Sequence, residues 1–129
     1  MSLQHLILDD PTLLALGGGN RPASTLVMRG YRNPDVRLLV PTLCLLEADR
    51  KREGVGVHAG SLDALHTVDL DFAGSLHVAE LARTGVPIGI AHAAVTATPT
   101  ADRPAGAIVA TVAPENYEGL RVTVLDLNK

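Results

Sequence analysis

Short runs that are apolar almost throughout, "LQHLIL" at 3–8, "VRLLV" at 36–40 and "AIVAT" at 107–111, are separated by longer amphipathic stretches. That alternation limits the fold more than any other feature. Short apolar runs suit strands covered on both faces, and the helical periods between them supply the covering layers. With "HTVDL" at 66–70 and "RVTVLDL" at 121–127 there are five strands. The pattern predicts an α/β domain, a three-layer α/β/α sandwich around a mainly parallel sheet of about five strands. Right-handed crossovers would put helices on both faces, with ligands beyond the carboxyl ends of the strands.

The helices have readable ends. "PTLLAL" at 11–16 is a short helix closed by Gly17, Gly18 and Gly19, and "NRPASTLVMRGYRN" at 20–33 takes Asn20 as its N-cap with Pro22 in the first turn. "PTLCLLEADRKR" at 41–52 finishes in basic residues that favour the helix dipole. The loop "EGVG" precedes a weaker helical stretch, "HAGSLDAL" at 58–65. "DFAGSLHVAELARTG" at 71–85 is the clearest helix, with Phe72, Leu76, Ala79 and Leu81 as its stripe and Gly85 as its C-cap. "IGIAHAAVTAT" at 88–98 is another, stopped at Pro99; "PTADRPAG" is a loop and "APENYEGL" a turn or short helix. Leu26, Val27 and Met28 form either an interface or a buried helix face.

The 129 residues fit one domain, 1–129, large enough to bury a core. Aromatics are only 2% of the chain and Trp is absent, so Leu, Val, Ile and Ala must fill the interior. A net charge of -3 gives no broad footprint for non-specific nucleic-acid binding. The single cysteine, Cys44, reads as a small core residue; it excludes an intramolecular disulfide and fits a reducing compartment. No apolar run approaches the roughly 18 residues of a membrane span, and the N-terminus lacks the pattern of a signal peptide. A cytoplasmic protein is the expectation. "LGGGNRP" is not a dinucleotide fingerprint, and neither GxxxxGK[ST] nor GxSxG occurs.

The adjacent acids in "HLILDDPTLLAL" are the first candidates for chemistry. Asp10 precedes Pro11, a common helix start, so Asp10 is read as the N-cap. Asp9 is then left at the mouth of the sheet, either as a solvated loop carboxylate or as a functional acid. Glu47 lies at i+4 from Leu43, on the stripe expected to face the sheet. A carboxylate there needs a partner such as Arg50 or Arg83, or a cation in a cleft it shares with Asp9. His92 shares its stripe with Ile88 and Val95 and is either a hydrogen-bonded core residue or a metal ligand. His5, His58, His66 and His77 show no paired spacing of the HExxH kind.

The order of these blocks resembles the PIN domain, the ribonuclease fold of VapC-type bacterial toxins, over nearly the whole chain. "LILDDPTLLAL" is similar to the family's opening strand, aspartate and short helix, with Asp9 in the acidic position. "LLVPTLCLLEADRKR" is similar to its strand and glutamate-bearing helix, with Glu47 in place, and "AIVATVAPENYEGLRVTVLDL" to its closing block. The resemblance implies that Asp9 and Glu47 are catalytic acids holding Mg²⁺ or Mn²⁺ for attack of water on an RNA phosphodiester, with His92 and Thr111 as additional site residues. Two acids of the family's pattern are missing. His92 stands where the third is expected, and Ala113 follows the strand-end Thr111 where the fourth is expected. Asp102 and Glu115 are the nearby acids that could replace them.

Three readings follow. The first is a PIN-like protein with an incomplete acidic metal site, non-catalytic or weakly active, which acts through binding. The second is an active Mg²⁺- or Mn²⁺-dependent endoribonuclease, the toxin of a toxin–antitoxin pair. The third is an α/β binding module unrelated in function. The resemblance also implies a homodimer and an antitoxin-like protein partner, while the net charge speaks against RNA and nothing points to a membrane.

Overall fold

Strand β1 (Gln4–Leu8) lies in the middle of a five-stranded sheet, where its apolar residues are covered on both sides. The computed structural model describes residues 3–129, so the first two residues of the expected domain lie outside the described residues. After β1 come helices α1 (Asp10–Gly17) and α2 (Arg21–Arg32), strand β2 (Val36–Pro41), and helices α3 (Thr42–Lys51) and α4 (Val55–Gly60). Strand β3 (Leu65–Val68), helices α5 (Phe72–Arg83) and α6 (Ile88–Ala97) and strand β4 (Ile108–Thr111) follow. A 3-10 turn at Pro114–Tyr117 leads into β5 (Val124–Asp126).

The strand order is β3-β2-β1-β4-β5, and every pairing is parallel. The chain steps outward from β1 to β2 to β3, then crosses back to β4 on the other side of β1. Right-handed connections in these opposite directions put their helices on opposite faces, which makes the three layers. On one face α2 packs on β2 so closely that a Cβ on Gly30 would stand 2.6 Å from Leu38 Cδ1. α6 packs against β1, β2 and β4. The core between the layers holds Leu6, Leu8 and Leu38, each fully buried and each worth about 1.5–3 kcal/mol in transfer from water.

Several local expectations are corrected. Asp9, not Asp10, is the N-cap of α1: its side chain accepts from Thr12 N–H, which makes Asp10 the first helical residue and puts Pro11 second. The Asp-Asp-Pro sequence satisfies both registers, so propensity does not separate them. The helix expected at 58–65 sits earlier, at Val55–Gly60, because Asp49 Oδ1 accepts from Gly54 N–H and Gly56 N–H and folds the turn there. Gly54 takes a left-handed φ of 97° at that turn.

In α5 the expected stripe is split: Phe72 is 82% and Leu76 55% exposed, Ala79 and Leu81 are half-buried, and Gly74 and Val78 are the buried residues. Asp71 caps this helix by accepting from Gly74 N–H at 2.7 Å, and the missing side chain at Gly74 makes room for that cap: a Cβ there would stand 2.9 Å from Asp71 Oδ1 and 3.2 Å from Leu70 Cδ1. The last strand is shorter than the apolar run suggests, at Val124–Asp126. Asn20 caps α2, accepting from Ala23 N–H, and in that helix Leu26 and Val27 are buried while Met28 is exposed. Cys44 is in the core, its Sγ donating to Gly89 O.

Candidate functional site

The order in which the chain adds strands reverses between β1 and β4, and the carboxyl end of that parallel pair is where an open α/β sheet leaves a crevice. Asp9 follows β1 at this point and Thr111 ends β4, so the topology alone brings them together. Thr111 donates its hydroxyl to Asp9 Oδ2 at 2.7 Å. Tyr117, from the 3-10 turn, donates its own hydroxyl to the same oxygen, also at 2.7 Å. Asp9 Oδ1 accepts from Thr12 Oγ1 at 2.6 Å and from Thr12 N–H at 3.2 Å.

Asp9 is therefore a fully buried carboxylate with four protein donors. Hydrogen bonds to an ionised acceptor are the strong kind, and four of them replace much of the water it gave up. Burial, and then the charge of Asp9, push the Tyr117 phenol far above its ordinary range, so it stays a donor. The two threonine hydroxyls also accept, Thr12 from Val112 N–H and Thr111 from Ala113 N–H, and this fastens the chain just after β4 to the same centre.

The neighbouring acid is finished differently. Asp10 is 4% exposed, its Oδ1 has no hydrogen-bond partner, and its Oδ2 lies 3.7 Å from Lys51 Nζ. Burial raises its pKa, and the charges of Asp9 and Glu47 add to the rise, while its backbone hydrogen bond and Lys51 oppose it. The bare backbone of Gly89, in α6, makes room for this carboxylate: a Cβ there would stand 2.6 Å from Asp10 Oδ1.

Glu47, half-buried on α3, forms a two-pronged ion pair with the exposed Arg50, at 3.0 and 2.9 Å. The hydrogen bonds to that guanidinium hold its carboxyl below the usual range. His92 is buried, and its Nδ1 accepts from Leu43 N–H at 3.2 Å. Burial lowers its pKa, with Asp69 and Asp71 pulling the other way. Asp102 and Glu115 are both exposed. The structure thus joins Asp9 to Thr111, gives Glu47 to Arg50, and turns one nitrogen of His92 to the start of α3. Among the described residues, no three of His, Cys, Asp and Glu gather closely enough to share a metal ion.

Thr12 and Tyr117 are the two residues of this centre that sequence reasoning missed. Thr12 hid inside a helix start. Tyr117 left one trace: in a chain with two Tyr and one Phe, a tyrosine in a polar turn just past a strand-ending threonine stands out.

No family model matches the sequence, and no curated protein does. Solved structures do match the fold. A chain of the DNA-bound VapBC from Salmonella typhimurium superposes with a TM-score of 0.60 at 17% identity, covering 96% of this chain and 98% of that one. A chain of VapBC2 from Rickettsia felis, bound to a DNA fragment from their promoter, gives 0.61 at 11% identity, covering 95% and 98%. Nearly end-to-end coverage in both directions, with an all-parallel sheet flanked by helices, gives the chain a PIN-like, VapC-like fold.

Proposed function

We propose that this chain is a VapC-like protein that works by binding a protein partner, its acidic centre converted from a metal site into an internal hydrogen-bond hub. The observation that carries this reading is the saturation of Asp9 by Thr12, Thr111 and Tyr117. A hard divalent cation needs several oxygen ligands with free lone pairs. Asp9 spends its oxygens on protein donors and Glu47 spends both of its own on Arg50. Asp10 Oδ1 has no partner, and Asp10 Oδ2 has only Lys51 Nζ at 3.7 Å. The set fits Mg²⁺ or Mn²⁺ poorly, and no hydrolytic step is derived through either.

The partner this reading implies is a small antitoxin-like protein, bound by a cytoplasmic homodimer of this chain. The net charge of -3 keeps RNA out of the first place. Among the described residues no helix is long and apolar enough to cross a membrane. A second reading, a Mg²⁺- or Mn²⁺-dependent endoribonuclease built on Asp9, Glu47, His92 and Thr111, is favoured by the unpartnered oxygen of Asp10.

Calorimetric titration with Mn²⁺ and Mg²⁺, alongside an RNA cleavage assay, separates the two readings. The expected result is no saturable heat and no cleavage. Saturable Mn²⁺ binding that vanishes in Asp9→Asn together with cleavage would overturn the binding reading in favour of the nuclease.

A further inference from the structure

A cleft of about 500 Å³ runs beside α6, away from the Asp9 centre. One wall is the α6 stripe of His92, Val95 and Thr96, the second comes from α5, and the third is the segment Leu120 to Val122 just before β5. Its two ends carry opposite charge. Asp69 and Asp71 follow β3, at the carboxyl edge of the sheet. Arg103 and Arg121 precede β4 and β5, at the amino edge. Neither arginine has an ion-pair partner among the described residues, and Arg103 Nε is buried with no acceptor.

We infer that this cleft receives a short extended segment of a partner protein, with a basic residue at one end, an acidic residue at the other and apolar side chains between. The length follows from the size of the cleft. A volume of about 500 Å³, bounded by α5, by His92 to Thr96 of α6 and by Leu120 to Val122, suits a segment of a few residues. Asp69 and Asp71 take the basic end, Arg103 and Arg121 take the acidic end, and Val95, Leu120 and Val122 meet the apolar middle.

His92 supplies a further contact. Its Nδ1 is occupied by Leu43 N–H and burial keeps the ring neutral, so the ring proton sits on Nε2. Nε2–H has no acceptor among the described residues and serves a main-chain carbonyl of the segment. The acids at one end repel a phosphate backbone, which favours a peptide over RNA.

This inference rests on the binding reading above and identifies its surface. The test uses pooled pentapeptides, acetylated and amidated, with Val, Leu or Ala in the middle. One pool set carries Lys and Glu at opposite ends in both orders, and the control set carries the same charge at both ends. Fluorescence polarisation reads affinity, and amide shifts of Val95, Leu120 and Val122 read location. The opposite-ended pools are expected to bind and move those amides. The like-ended pools, and the Arg103→Ala, Arg121→Ala double variant, are expected to bind roughly tenfold more weakly. No binding by the opposite-ended pools, equal binding by the like-ended pools, or hexauridylate moving the same amides would overturn the inference. Those results leave the Mn²⁺ titration unchanged, whereas Mn²⁺ binding with RNA cleavage defeats the underlying reading whatever the peptides do.

Discussion

The Asp9 centre and the cleft beside α6 share no residue and are finished in opposite ways. At the centre, one buried carboxylate meets four donors drawn from α1, β4 and the 3-10 turn. In the cleft, two guanidinium groups and an imidazole N–H have no partner among the described residues. The difference follows from solvent access. A charge sealed in the interior must find its partners within the chain or destabilise it, while polar groups that reach the open cleft are served by water until something replaces it; Arg103 Nε, sealed without an acceptor, is the exception. A saturated centre holds the fold together, and an unsaturated cleft is where recognition has room to act.

Asp9→Ala is the strongest way to break that contrast. It leaves the buried Thr111 and Tyr117 hydroxyls without their acceptor, removes the α1 cap and opens a small cavity. A loss of about 4 kcal/mol in urea unfolding is expected. A loss below about 1 kcal/mol would mean that the centre is not structural.

Tyr117→Phe is the gentler version, since it keeps the ring and removes one of the four donors. A charge-assisted bond of this kind contributes about 2 kcal/mol. The same variant frees part of Asp9 Oδ2, so it belongs in the Mn²⁺ titration as well. New Mn²⁺ affinity in this variant would show that the hydroxyl had been standing where a cation can bind. Unchanged stability would remove Tyr117 from the hub.

Much of this architecture was legible beforehand, because it rests on local pattern. The α/β alternation, the mainly parallel sheet and the place of Asp9 at the end of the first strand follow from the apolar runs, whereas Thr111 entered only through the family resemblance and its contact with Asp9 needed the strand order. Tyr117 was not legible, because it reaches Asp9 across 108 residues of sequence and nothing local marks that contact. The phase of α5 was misread for a related reason. Periodicity puts its large apolar residues inside, but the helix is seated through Gly74 and Val78, with the Asp71 cap fitted against the bare backbone of Gly74, and Phe72 and Leu76 face outward. In α6 periodicity carries no information at all, since eight of its ten residues are buried and every face is covered.

Asp10→Asn tests the half-finished neighbour of the hub. Burial raises the folded-state pKa of Asp10, so the folded protein holds the proton more tightly than the unfolded chain does. Linkage then makes its contribution fall as pH rises from the ordinary aspartate value through the raised one. At pH 7 the ionised carboxylate is a net liability, and the Asn variant is expected to be more stable than the parent. That advantage should shrink as pH drops through the raised pKa and level off below the ordinary value, where both states of the parent are protonated. Subtracting the two profiles removes the opposing contribution of His92, whose lowered pKa costs stability as pH falls below its ordinary value. A difference that does not vary with pH would place the Asp10 carboxylate in better contact with Lys51 than 3.7 Å implies.

Glu47→Gln should have the smallest effect, and its smallness is informative. Glu47 is 15% and Arg50 62% exposed at the side chain, so a largely covered acid meets an exposed arginine one turn along α3. Pairs of this kind are worth about 0.5 kcal/mol, because water screens them and two long side chains must be held still. The depressed folded-state pKa of Glu47 puts that contribution above its ordinary pKa, to be lost as pH falls through the folded value. Unfolding curves of parent and variant at pH 7 should nearly coincide, and should merge in acid. A loss of more than about 2 kcal/mol would mean that Glu47 is coupled to the buried acids rather than to Arg50 alone. In that case the hub extends onto α3, and the line between the saturated centre and the open surface would have to be redrawn to include it.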